Sequence, residues 1–181
     1  ALQIQDLQFS IPLIFNPVVP QLSNASGTFR GAGLRDIKYF PEVGTAGNQS
    51  NDMVLFRLSD IYLMRAEADA RLNSGVVSAT SLGYINAIRE RAYGGDVSHD
   101  WTVPQATLDN ILAERAREVT WEGWRRNDLI RYETANPGTH YFSGPRNPQK
   151  TQDPADNHLM IMPIPTQQIT ANPNLVQNPG Y

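Results

Sequence analysis

Cysteine is absent from the 181 residues, which excludes a disulfide, a thiolate metal site and a cysteine nucleophile within this stretch and leaves the redox compartment unread. Long apolar runs are missing too. The longest near the start, Ile11 to Phe15, is far short of the roughly 20 residues that a membrane-spanning helix needs. Histidine is scarce, and His99, His140 and His158 show none of the paired helical spacing of a zinc site, so no metal is expected. Neither charge sign dominates. With 15 Lys plus Arg against 18 Asp plus Glu and a net charge of -3, there is no basic field for phosphates, which excludes nucleic acid as a partner. No glycine-rich phosphate loop occurs, and no cofactor is implied. The opening residue, Ala1 rather than Met, reads as a mature or trimmed piece. A chain of this length supports one sizeable core, since roughly 150 residues bury about 70% of their unfolded surface.

Residues 1–52 lack sustained periodicity and carry Pro12, Pro17, Pro20 and Pro41, which predicts loops with short extended pieces belonging to the same domain as the rest. The pattern changes at Val54. Leu58, Ile61, Tyr62, Ala66, Asp69 and Leu72 recur at three-and-four spacing, predicting a helix with its apolar members inward and a surface pair between Glu67 and Arg71. Asn73-Ser74-Gly75 stops it. A second helix is expected over about Thr80 to Ala92, with Leu82, Ile85 and Ile88 inward and Gly83 and Ala87 allowing close approach. Gly94-Gly95 ends it. Thr107 reads as the N-cap of a third helix carrying Leu108, Ile111, Leu112, Arg115, Ala116 and Val119 on one face. Gly123 breaks that helix, and a fourth runs from Trp124 to Glu133, closed by Asn136-Pro137. The end holds a Met-Pro-Ile-Pro piece and a helical turn from Thr166. Two helix pairs, 54–92 and 108–133, are similar to tetratricopeptide hairpins. The fold class is mainly α, with helical hairpins and long irregular loops.

Three segments resemble the C-terminal part of the SusD/RagB family of outer-membrane nutrient-binding proteins. The first is Val54-Leu-Phe-Arg-Leu-Ser-Asp-Ile-Tyr-Leu-Met-Arg-Ala-Glu-Ala68 with Ile85-Asn-Ala-Ile-Arg-Glu-Arg-Ala92. The second is Ile111-Leu-Ala-Glu-Arg-Ala-Arg-Glu-Val-Thr-Trp-Glu-Gly-Trp-Arg-Arg-Asn-Asp-Leu-Ile-Arg131. The third joins Met162-Pro-Ile-Pro165 to Asn172-Pro-Asn-Leu-Val-Gln-Asn-Pro-Gly-Tyr181. The resemblance covers residues 30–181, places 53–181 as the family's C-terminal helical domain, and reaches only the last third of a usual member. It implies a surface-exposed outer-membrane lipoprotein, attached through a lipid anchor outside this stretch. Such a protein captures a glycan, or sometimes a peptide, and delivers it to a SusC-like TonB-dependent transporter without catalysis.

Within Ile111 to Arg131, nine of 21 positions are charged. Glu114, Glu118 and Glu122 recur every fourth residue and so share one helical strip, where uncompensated like charges repel. Cations must face them. Arg115, Arg125 and Arg131, with Arg57, Arg65 or Arg89 from the earlier hairpin, are the available forks, and with Asp128 they predict a partly buried network that locks the third helix to its neighbours. The catalytic alternative is a glycosidase pair, because carboxylates on such a strip sit about 5–6 Å apart at Cβ, near the separation of retaining enzymes. Its weakness is that catalytic carboxylates flank the bond from opposite sides.

For ligand binding, aromatic faces cover the apolar side of a pyranose. Trp101, in a loop with Tyr93, Asp96, His99 and Asp100, is the leading candidate, followed by Tyr141, in a loop with His140, Phe142 and Arg146, and by Phe29, Arg30 and Tyr39. Trp121 and Trp124 are assigned to packing. Asp96 with Asp100, or Asp153 with Asp156, could hold calcium, although the EF-hand pattern is missing. A peptide-binding helical-repeat adaptor stays open as an alternative function. It requires Asp60, Glu67 and Arg71 to line an exposed groove.

Overall fold

A computed structural model describes residues 4–6, 11–13, 15–18, 33, 36, 38, 39, 50, 52–137, 141, 142 and 158–181. The chain divides into two compact units, Ala1–Met53 and Val54–Tyr181. In the first, β1 (Ile4–Asp6) pairs antiparallel with β2 (Ile11–Leu13), Gln5 opposite Pro12. Pro12 cannot donate to a ladder, which suits a strand with one free edge.

The second unit is mainly α-helical. It contains α1 (Leu58–Leu72), α2 (Ala79–Ala92), α3 (Leu108–Glu118), α4 (Arg125–Ala135) and the short α5 (Thr166–Ala171). The boundaries follow local chemistry. The α1–α2 turn passes through Gly75 at φ +91°, the left-handed region that glycine enters without a Cβ clash. Within that turn the Asp69 carboxylate accepts from the Asn73 side chain (2.8 Å) and the Ser78 N–H (2.7 Å). Bonds from the Ser78 side chain, then the Ser81 side chain and the Ser78 N–H, hold Asp69 well below the usual carboxylate range, at about 2. Ser78 and Thr107 cap α2 and α3, their hydroxyls accepting from Ser81 N–H and Asn110 N–H.

The apolar core joins Leu63, Ala66 and Ala70 of α1, Val77, Ile85 and Ile88 of α2, Ala106, and Ile111 of α3, with Tyr62, Leu82, Trp101 and Leu108 packed against it. Full burial of each large aliphatic here stabilises by about 1.5–3 kcal/mol. Two expectations are corrected. Leu58, Ile61 and Leu72 are exposed, and α1 instead turns Asp60, Leu63, Ala66, Glu67 and Ala70 inward. Hydropathy favours the first phase of the helix. The second wins because arginines meet both carboxylates, so Glu67–Arg71 is no surface pair: Glu67 is buried. Gly83 and Ala87 are exposed as well, and a Cβ on Gly83 would meet nothing within 4 Å. Ala66 and Ala70 are the small residues at the contact.

The tail folds back on itself through side-chain amides. Gln177 bonds both the N–H (2.8 Å) and the carbonyl (2.9 Å) of Ile164, and Asn178 donates to the Met162 carbonyl (2.7 Å). Arg126 of α4 donates to the carbonyls of Leu159 (2.8 Å) and Met160 (3.1 Å) and so ties this segment to the bundle. His158 and Tyr181 meet edge to face.

Candidate functional site

The helix ends at Glu118 rather than at Gly123, so Glu114 and Glu118 share α3 while Glu122 sits in the turn beyond it, yet guanidinium groups meet all three acids. Glu114 accepts from Arg89 of α2 (2.7 Å) and from Arg117 (2.5 Å). Glu118 is gripped by Arg91 through both oxygens (2.5 and 2.6 Å) and by Arg57. Glu122 accepts from Arg57 Nε (2.9 Å). At the centre, the wholly buried Arg115 reaches Asp60 of α1 (2.8 Å) and Asp128 of α4 (3.0 Å), one fork joining three helices. Arg131 then pairs with Asp128 (2.8 Å) and with Glu67, which also holds Arg71 (2.8 Å). Burial works against the Arg115 charge, but the Asp128 and Asp60 carboxylates outweigh it and raise its pKa above the ordinary value. Arg57 and Arg131 are raised by the same balance.

One predicted member is placed differently. Arg125, the first residue of α4, donates to the Leu112 carbonyl (3.2 Å) and meets no carboxylate among the described residues. Arg65 stays exposed. Of the members not foreseen, Glu67 and Arg117 carry a local signal, an opposite charge four or three residues away on the same helix (Arg71 and Glu114), whereas Asp60 and Arg91 have none on theirs.

The aromatic candidates are dispersed. Trp101 is half-buried against the core, with Arg89 over its ring (4.7 Å) and its backbone clamped by Asn86, whose amide accepts from Trp101 N–H (2.8 Å) and donates to its carbonyl (2.9 Å). Tyr141 donates its hydroxyl to Asp109, which raises its pKa to about 12, and packs edge to face on Tyr132 (5.6 Å). Tyr39 belongs to the first unit, exposed at φ +57° under Lys38 (5.6 Å). Phe29, Arg30, His140, Arg146, Asp153 and Asp156 lie outside the described residues. Asp96 caps Ser98 N–H (2.9 Å) and faces His99 (3.7 Å). No group of three or more metal-ligating side chains occurs among the described residues.

Trp121 and Trp124 do not share one role. Trp124 is half-buried against Phe56, centroids 5.3 Å apart. Trp121 is 78% exposed, contrary to its assignment as a packing residue. The cause is backbone conformation: Trp121 at φ +65° and Gly123 at φ +80° reverse the chain between α3 and α4 and throw the indole outward. A cleft of about 570 Å³ opens there, lined by Ala116, Val119, Thr120, Trp121, Arg125 and Arg126 among others. The Trp-Glu-Gly order carries the signal that helical periodicity hides, since Gly123 marks a turn in which a neighbouring side chain leaves the helix face.

Comparison with known proteins bears on this arrangement. The chain is 32% identical over 146 residues to SusD-like protein P25 of Formosa agariphila, covering 74% of this chain and 26% of that protein. It is also 32% identical over 139 residues to the starch-binding protein SusD of Bacteroides thetaiotaomicron, covering 77% and 23%. The chain thus spans about a quarter of the length of these relatives. The crystal structure of a SusD superfamily protein from Bacteroides vulgatus superposes with a TM-score of 0.55 at 28% identity, over 84% of this chain and 31% of that one. The sequence pattern of the SusD family matches residues 21–181, and the chain belongs to that family.

Proposed function

We propose that the chain is the C-terminal helical part of a non-catalytic, surface-exposed outer-membrane lipoprotein that captures glycan and delivers it to a TonB-dependent, SusC-like transporter. The observation that carries this reading is the family match over residues 21–181, with a starch-binding protein among the relatives. The charge network supports it physically. Carboxylates that could do acid–base chemistry are instead spent on bracing helices, and recognition falls to loops and turns. Glu118 and Glu122 project to the same Arg57 rather than flanking a gap, which argues against a glycosidase. A peptide-binding groove on α1 would need Asp60 and Glu67 in solvent, and both are buried.

Titration calorimetry of the intact protein against a broad oligosaccharide panel tests the reading. Binding without release of reducing sugar is expected. Absence of heat across the whole panel, or hydrolysis that disappears in Glu118→Gln, would overturn it.

A further inference from the structure

We propose that the α3–α4 corner is a subsite for an anionic sugar: Trp121 stacks on the apolar face of a pyranose while Arg125 and Arg126 pair with a carboxylate or sulfate on it. The inference rests on the glycan-receptor reading above and narrows it to acidic polysaccharides.

Three independent observations meet at this corner. Trp121 keeps most of a large apolar surface in water, at 78% exposure, while the other two tryptophans are half-buried. An indole left outside in this way is a binding platform in search of a flat apolar partner. Second, its backbone holds φ +65°, a conformation that L residues avoid and that persists only where surrounding structure enforces it. The enforcement is visible. Glu122 N–H closes the turn on the Val119 carbonyl (3.1 Å), the Thr120 hydroxyl bonds the Ala116 carbonyl (2.6 Å), and Arg57 grips the Glu122 side chain. The backbone at Trp121 is therefore preorganised, and little backbone entropy remains to be lost when a ligand arrives.

Third, the charge is unbalanced. Arg57, Arg71, Arg89, Arg91, Arg115, Arg117 and Arg131 each pair with a carboxylate. Among the described residues, the two arginines of the cleft do not. Arg125 spends one donor on the Leu112 carbonyl, and Arg126 is held by the carbonyls of Leu159 and Met160 with its guanidinium over Phe142 (5.2 Å). Both are thus positioned by neutral acceptors, and no carboxylate lines the cleft among the described residues. A planar fork without a counter-charge suits a carboxylate or sulfate. The volume, about 570 Å³, falls within the ~300–1,000 Å³ of small-molecule sites.

The test is calorimetry on the intact protein at low salt with neutral, uronate-bearing and sulfated oligosaccharides of matched length, using wild type, Trp121→Ala, Trp121→Phe and Arg125→Gln. Acidic oligosaccharides are expected to bind more tightly than neutral ones. Trp121→Ala should weaken them at least about tenfold, the loss of one stacking contact, while Trp121→Phe stays within about threefold. Arg125→Gln, which leaves Arg126 in place, should cut the preference for acid at least about threefold, and the ratio of uronate to sulfate affinity in wild type identifies which group is read. Trp121→Gly relieves the left-handed backbone and should melt no lower than wild type while losing binding, which separates a binding role from a folding role. Unchanged acidic-glycan affinity in Trp121→Ala, with wild type binding, overturns the subsite and leaves the receptor reading standing. Equal affinity for neutral and acidic oligosaccharides overturns the anionic class. A variant that keeps its glycan affinity but loses a co-purifying protein reassigns Trp121 to a protein interface and also overturns the proposal. No binding to any oligosaccharide fails the receptor reading itself.

Discussion

Arg115→Met is the sharpest perturbation of the scaffold. The side chain is buried and donates to Asp60 Oδ1 at 2.8 Å and Asp128 Oδ2 at 3.0 Å. The two acids do not lose equally. Asp128 keeps Arg131 at 2.8 Å, so its loss is about 1.5 kcal/mol, one charge-assisted bond. Asp60 has no other ion-pair partner among the described residues, and its Oδ2 is already without a hydrogen bond there. An orphaned buried carboxylate costs about 3–5 kcal/mol. Its place in the first turn of α1 returns up to about 1 kcal/mol through the helix dipole. The expected destabilisation is about 4 kcal/mol, a large share of the ~5–15 kcal/mol that holds a domain folded. With a slope near ~2 kcal/mol per molar urea, the midpoint falls by about 2 M. Urea unfolding followed by circular dichroism reads this directly. Adding Asp60→Asn and Asp128→Asn to Arg115→Met should recover more than half of the loss, because no buried charge is then left unpaired. A shift below about 0.5 M, the scale of an exposed pair, would refute the claim that this ion cluster braces the helices.

Further outcomes follow from single contacts. Asp69 titrates near 2 in the folded chain against 3.8 ordinarily, so its contribution is complete above about 3.8 and fades as pH falls toward 2. Asp69→Asn should therefore lower the urea midpoint at neutral pH and converge with wild type in acid. Thr107→Ala removes the α3 cap and should cost about 1 kcal/mol by the same measurement. At Gly180 the chain runs at φ +95°, and an added Cβ would lie 2.5 Å from His158 Cβ. Gly180→Ala should therefore undock the tail, seen as faster amide exchange across 158–181 with the core unchanged.

Legibility differs by interaction type. Helix ends were readable because capping is local: Thr107, Gly75, Gly94 and the Asn136-Pro137 stop act within a few residues. The acidic strip was readable at Glu114 and Glu118, which obey one helical period, but Glu122 lies past the end of α3, and the turn rather than the helix brings it to Arg57. The partner Arg57 was available only as one of several cations, since 61 residues separate it from Glu118. The inward face of α1 was misassigned for a related reason. A hydropathy pattern treats Asp60 and Glu67 as surface groups, and only the tertiary position of Arg115 and Arg131 makes their burial affordable. Trp121 escaped because its exposure depends on a left-handed φ that no apolar periodicity encodes.

Arg57 links these threads, because it holds both acids that a hydrolase would use and the turn that presents Trp121. Its Nε lies on Glu122 while Nη1 and Nη2 meet the Glu118 carboxylate and backbone carbonyl. One guanidinium thus bridges the two carboxylates. Arg57→Met removes the cation that both carboxylates share. Glu118 retains Arg91, so the larger loss is at Glu122, whose side chain is 1% exposed, and stability should fall by about 1.5–3 kcal/mol, the scale of a charge-assisted hydrogen bond. Amide exchange should quicken over 119–124 as the turn loosens, and glycan affinity should weaken with it, since a mobile Trp121 must be ordered on binding. No hydrolysis should appear. If the variant instead released reducing sugars from a bound oligosaccharide, Glu118 and Glu122 would be a masked catalytic pair, and the assignment of the acidic strip to bracing would be wrong.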